Sequence, residues 1–163
     1  MTDDLLLRGG TVVDRAGSRR ADVLVRDGVI VAVESEIASL RATVLDCDGA
    51  WVGPGLVDLH THLRQPGKEE AETIETGSRA GALGGYTSLV GMPNTTPPID
   101  SAGLGREVQA LGEKARCHIE VAGAITVGRL GYHLAPMAEM AELGVRSFTD
   151  DGDGVQVKRL MCR

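Results

Sequence analysis

The sequence predicts an α/β protein, a small β unit over residues 1–54 followed by a series of βα units with parallel strands over 55–163. Three observations predict it. Short apolar runs separated by glycine turns fill the first part of the chain, and after "GAWVGPG" strand-like runs alternate with helical stretches. The third is composition: 22 glycines stand beside one Trp, two Tyr and one Phe, so turns are many and the core is aliphatic.

The β unit reads as "LLLRGGTVVD", "ADVLVRDGVIVAVES" and "ATVLDCDG". Asp27-Gly28 between two apolar runs is a hairpin signal, because this pair tolerates the positive φ of a tight turn. Each short strand carries one apolar face, so another layer must cover the unit. Next come the buried strands "LVDLH", "YTSLVGM", "CHIEVAGAI" and "VRSFTD", with helices expected over 69–83, 101–114 and 131–143. Gly84-Gly85 and Gly144 fall where a helix needs a C-terminal glycine before the next strand. Strands alternating with helices in this way make parallel βα units. About 108 residues follow Leu56, against roughly 250 in a closed (β/α)8 barrel, so an incomplete TIM-type barrel in a truncated chain is expected.

Composition narrows the function. Hydrophobic residues are 42% and charged residues 25%, a balance suited to a folded domain. Lys and Arg number 17 against 23 Asp and Glu, a formal net charge of −6 that offers nucleic acid or anionic lipid no broad positive field. Neither a signal peptide nor a membrane-spanning run is visible. Cys47, Cys117 and Cys162 are odd in number and far apart, which argues against a disulfide framework or a cysteine zinc site and for a reducing cytoplasm.

Three clusters can carry chemistry. In "DLHTHLRQPG", His60 and His62 lie two apart at the end of a predicted strand and therefore on one face, with Asp58 and Arg64 if the strand continues. Two imidazoles on one side of a strand end can bind one metal ion, and in a barrel the carboxyl ends of the strands hold the active site. Satisfied core histidines are the competing reading. In "GMPNTTPPID", Asn94 sits in a proline-bounded loop at the same end, where its amide can donate to an anion or simply form an Asx turn. In "SFTDDGDG", alternation from an outward Phe148 sends Thr149 and Asp151 inward and Asp150 outward, which selects Asp151 as the carboxylate that reaches a metal. A calcium loop would need a downstream glutamate and flanking helices, and a solvated acidic turn is the plain alternative. His118 and His133 are expected in core or surface roles, Lys68 to Glu72 as the solvated start of a helix, and Met137 and Met140 as core fillers.

These motifs resemble a family. "GPGLVDLHTHLRQPG", "ETIETGSRAGALGGYTSLVGMPNTTPPID" and "SFTDDGDGVQ" are similar in order and spacing to the amino-terminal part of bacterial class I dihydroorotases of the amidohydrolase superfamily. The resemblance implies a β-sandwich segment over 1–54 and the amino-terminal part of a (β/α)8 barrel over 55–163. It implies zinc, two ions per complete site, and the reversible hydrolysis of L-dihydroorotate to N-carbamoyl-L-aspartate in pyrimidine synthesis. By motif match, His60, His62 and Asp151 become metal ligands, and His62, Arg64 and Asn94 hold the substrate carboxylate. It further implies a homodimer or association with aspartate transcarbamoylase.

Thr149 stands where related hydantoinases carry a carboxylated lysine, and with Arg64 it favours dihydroorotase over hydantoinase or allantoinase. Leu63 and Gln65 replace the phenylalanine and glutamate of the family's usual motif. The family's remaining ligands and its acid–base aspartate would lie after Asp151, so no catalytic acid–base residue is expected in this chain, and the chain alone is expected to be inactive. A non-catalytic scaffold or remnant is the alternative, disfavoured by retention of the polar cluster. Unpaired first and fourth barrel strands are expected to promote self-association.

Overall fold

The computed structural model describes residues 4–39 and 41–162. The chain divides into two compact units, one ending at Pro54 and one beginning at Gly55.

The first unit is one mixed sheet. Its strands are β1 (Leu5–Asp14), β2 (Gly17–Arg26), β3 (Val29–Glu34), β4 (Thr43–Asp46) and β5 (Trp51–Val52). The order is β3-β2-β1-β4, with β5 also on β1. The two hairpin pairs are antiparallel, whereas β4 and β5 run parallel to β1. A register shift at Gly9-Gly10 divides β1, so that Leu5–Arg8 pairs with β4 and Thr11–Val12 with β5. Gly9 has φ +74 and donates its amide to the buried Asp22 carboxylate at 2.7 Å. At Gly10 a Cβ would stand 2.6 Å from Val52 Cγ2, so only glycine lets β5 lie this close. Val12, Ala21 and Val23 form a small core with Leu7, Val25 and Val52 packed on it.

In the second unit four parallel strands stand in sequence order: β6 (Leu56–Thr61), β7 (Tyr86–Gly91), β8 (His118–Gly123) and β9 (Ser147–Phe148). Helices α1 (Ile74–Leu83), α2 (Ala102–Gly112) and α3 (Met137–Glu142) connect them, and α4 (Lys158–Met161) is a final single turn. This is the succession of βα units from which a (β/α)8 barrel is built. The core is aliphatic, with Leu63, Ile74, Leu89, Ile99, Val108, Ile119, Val121, Met140 and Val145 all buried. Cys117 is also buried there, and no disulfide forms among the described residues.

All three connecting helices are shorter than the sequence predicts, the first and third by five residues or more. The first starts at Ile74, not near 69, because Thr73 caps it: Thr73 Oγ1 accepts from the Thr76 amide at 3.1 Å and Thr76 Oγ1 from the Thr73 amide at 3.0 Å. The charged run Lys68 to Glu72 is consequently a turn. Most of 131–143 is not helical either. Gly131 has φ +78, and the chain folds back so that Ala135 donates to Ile125 O at 2.9 Å and Val127 to His133 O at 2.9 Å. Helix α3 starts only after Pro136, which lacks an N–H and suits a helix start. No helix among the described residues is long and apolar enough to cross a membrane.

Candidate metal centre

Strand β6 carries His60, and His62 follows directly after its end. Asp58 Oδ1 accepts from the His60 amide at 2.9 Å, and the rings of His60 and His62 stand edge to face with centroids 5.3 Å apart. The ring contact puts both imidazoles on one side, although the β6–β7 register is irregular between Asp58 and Thr61 and His62 lies just past the strand. Burial differs from the expectation: the His60 side chain is 62% exposed and that of His62 32%. The reason is topological, since β6 is the first strand of its sheet and has a neighbour on one side only.

Asp151 completes the cluster. One carboxylate oxygen lies 3.0 Å from His60 Nε2 and the other 4.0 Å from His62 Nδ1, and the side chain is only 9% exposed. The route to this position is not strand alternation. Strand β9 ends at Phe148, and Asp151 sits in a turn with φ +28, its amide donating to Thr149 Oγ1 at 3.0 Å.

Asp150 is the correction. Expected to face outward beside its neighbour, it is instead 3% exposed. Its carboxylate accepts from the amides of Ile125 at 2.9 Å and Thr126 at 3.0 Å and from the Thr126 hydroxyl. Those donors lie on the loop after β8, so Asp150 ties that loop to the one bearing Asp151.

Further ties run around the same end of the sheet. Thr96 donates its amide to Pro66 O at 3.0 Å, which joins the loops after β6 and β7, and Gly128 donates to Asp100 Oδ2 at 2.7 Å, which joins those after β7 and β8. Asn94 is held in this arrangement, with its Oδ1 3.0 Å from His62 Nδ1. Arg64 is not on the strand face. Its φ of +61 breaks the alternation, and its guanidinium has no partner among the described residues. His118, at the start of β8, is exposed and pairs with Glu120 at 2.7 Å, and His133 is exposed.

The donor chemistry fits a divalent cation. One atom each from His60, His62 and Asp151 lie within 4.8 Å of one another. Bonds of roughly 2.1 Å at tetrahedral angles would set any two donors about 3.4 Å apart, so the widest pair would close by up to about 1.4 Å around a common ion. Imidazole with carboxylate suits zinc and its transition-metal neighbours more than calcium, which prefers six to eight oxygens.

The sequence reading missed the residues that support this cluster. Thr126, Arg129 and Asp100 lie in irregular loops with no periodicity, and only the paired acids of "TDDG" hinted that one carboxylate has a structural duty.

Comparison with known proteins adds a lineage. The model of the family described as "Dihydro-orotase-like" matches residues 49–163. A dihydroorotase of Pelotomaculum thermopropionicum is 44% identical over 161 residues, covering 98% of this chain and 38% of the relative. One of Streptomyces coelicolor is 44% identical over 161 residues, covering 97% of this chain and 37% of the relative. The chain thus spans between 37% and 38% of the length of these two curated relatives. Among solved structures, L-hydantoinase (dihydropyrimidinase) from Arthrobacter aurescens superposes with a TM-score of 0.76 at 26% identity, over 90% of this chain and 32% of its own. A dihydroorotase crystal structure gives 0.65 at 20% identity, over 91% of this chain and 42% of its own, a likeness of fold.

Proposed function

The chain belongs to the dihydroorotase-like family, and from that premise we propose that it acts in the zinc-dependent, reversible hydrolysis of L-dihydroorotate to N-carbamoyl-L-aspartate. The observation that carries the proposal is the convergence of His60 and His62, at the end of β6, with Asp151, in the turn after β9. His60 and His62 would hold the first zinc and Asp151 would reach it and a second. Zinc bound there would activate water and polarise the amide carbonyl under attack.

The chain's own residues then have distinct work. Asn94, accepting from His62 through Oδ1, keeps its amide N–H groups for an anionic group of the substrate. Arg64, with an uncommitted planar guanidinium, supplies two parallel donors suited to a carboxylate. His62 stands between the two tasks. The proposal assigns no acid–base residue to this chain.

Hydantoinase is the second reading, favoured by the TM-score of 0.76. A neutral hydantoin ring offers Arg64 no carboxylate, which sets the two readings apart. The test is calorimetric: Zn2+ titration of the chain, then N-carbamoyl-L-aspartate titration of the zinc-loaded chain. Loss of zinc binding in His60→Ala and His62→Ala, and loss of ligand binding in Arg64→Met, are expected. Ligand binding unchanged in Arg64→Met would overturn the carboxylate assignment.

The three free cysteines support a cytoplasmic location. A homodimer, or association with aspartate transcarbamoylase, belongs to the same reading and is tested by sedimentation of the chain alone and with that enzyme.

A further inference from the structure

Asp151 presents a problem of support. It lies beyond a strand of two residues, at a φ that L-residues rarely adopt, and must still aim its carboxylate at two imidazoles around the end of another strand. Its own strand cannot hold it there.

Arg129 supplies the support from one side. Its Nε donates to Asp150 O at 2.8 Å, and its Nη2 donates both to Asp151 O and to Asp153 Oδ2, the latter at 2.6 Å. One guanidinium thereby takes the carbonyls of two consecutive residues and a carboxylate two residues on. The Arg129 side chain is 16% exposed, which shields its bonds to the two carbonyls, whereas the Asp153 carboxylate is 61% exposed and adds less. Arg129 is itself fixed: it has φ +58, its amide donates to Thr126 O at 2.9 Å, and the preceding Gly128 is tied to Asp100. On the other side the buried Asp150 carboxylate is anchored to Ile125 and Thr126. Between these two anchors the Asp151 backbone has little freedom, and its side chain leaves in one direction.

We propose that Arg129 is a positioning residue that sets the reach of Asp151 toward His60 and His62. The inference rests on the metal reading above and deepens it. Arginine suits this place better than lysine, because the acceptors meet two separate nitrogens, Nε and Nη2, of one planar fork, which a single ammonium nitrogen cannot span. Supporting residues of this kind typically alter metal affinity by about 10- to 100-fold.

The experiment is Co2+ titration of the chain, read by visible absorption, for the parent, Arg129→Met, Arg129→Lys, Asp151→Ala and the double variant Arg129→Met/Asp151→Ala. Amide exchange at Asp151 and Asp153 and the melting temperature are followed in parallel. Arg129→Met is expected to lose about 10- to 100-fold in Co2+ affinity, with Arg129→Lys between it and the parent. In the Asp151→Ala background removal of Arg129 should change nothing further, because the effect passes through Asp151. An equal loss in both backgrounds marks a merely structural role and overturns the proposal, as does unchanged affinity in Arg129→Met. If the parent binds no Co2+, the metal reading fails, and exchange then decides the positioning: protection of Asp151 and Asp153 unchanged in Arg129→Met overturns it, and lost protection supports it.

Discussion

His62 Nδ1 and Asn94 Oδ1 lie 3.0 Å apart, which links the end of β6 to the loop after β7. When Nδ1 carries the proton it donates to the amide oxygen, and Nε2 keeps the lone pair that a metal needs. Asn94 therefore selects a tautomer as well as facing an anion. Asn94→Leu is expected to weaken zinc binding by about 10-fold, measured by calorimetry, with the fold unchanged by circular dichroism. Equal affinity in parent and variant would show that the His62 ring needs no such partner.

Pairing of the two histidines was legible because residues two apart at a strand end share a face, even though the β6–β7 register is irregular between Asp58 and Thr61. Arg64 was not, since the alternation stops where φ turns positive. Asp151 is a subtler case: counting alternate positions from Phe148 selects it, yet a turn delivers it, and the same count misplaced Asp150. Burial of Asp150 depends on the amides of Ile125 and Thr126, which come near it only once β8 and β9 pair. Non-local hydrogen bonding of this kind leaves no period in a sequence. Leu63, which replaces a phenylalanine of the family motif, is legible only afterwards: it is 5% exposed, and a Cβ on Gly77 would stand 2.7 Å from its Cδ2.

Gly67 marks a close approach between the loops after β6 and β7. A Cβ there would lie 2.0 Å from Thr96 O, at a φ of +97 that already disfavours a side chain. Backbone cannot yield as a side-chain tip can. Gly67→Ala is expected to destabilise the second unit by about 2–4 kcal/mol, seen as a lower denaturation midpoint. Because Arg64 and Asn94 stand on the two joined loops, N-carbamoyl-L-aspartate binding should fall too. A stability change below about 0.5 kcal/mol, the range of an indifferent surface change, would contradict the packing described.

Strand β6 leaves Leu56, Val57 and Leu59 exposed by 54%, 56% and 72%. An edge strand with an apolar surface pairs readily with another chain. The chain is therefore expected to associate with rising concentration in sedimentation experiments, and Leu59→Lys to reduce that association, since a charged side chain on an edge opposes further pairing. Concentration-independent sedimentation of the parent as a monomer would refute this.

Asp22 gives the first unit a definite response to acid. Its carboxyl is held below the ordinary aspartate range chiefly by the Ile37 amide, which donates at 2.9 Å; burial opposes this, and the Gly9 amide and the charges of Arg8 and Arg20 add to it. A carboxyl whose pKa is lower in the folded state stabilises the fold fully above its unfolded pKa of about 3.9, and the contribution disappears as pH falls through the lower folded value. Replacement by asparagine turns one acceptor oxygen into an N–H2 group facing an N–H donor. Asp22→Asn is thus expected to cost about 2–3 kcal/mol at pH 7. Asp4 and Asp14, also held low by hydrogen bonds from Arg26 and Arg19, remain in both proteins and cancel in the difference. The gap between parent and variant, measured by urea denaturation, should accordingly be constant from pH 7 to 5 and narrow steadily below pH 4. A gap that stays constant down to pH 3 would mean that the charge on Asp22 does not pin the β1 bulge, and that the neutral acid holds Gly9 and Ile37 equally well.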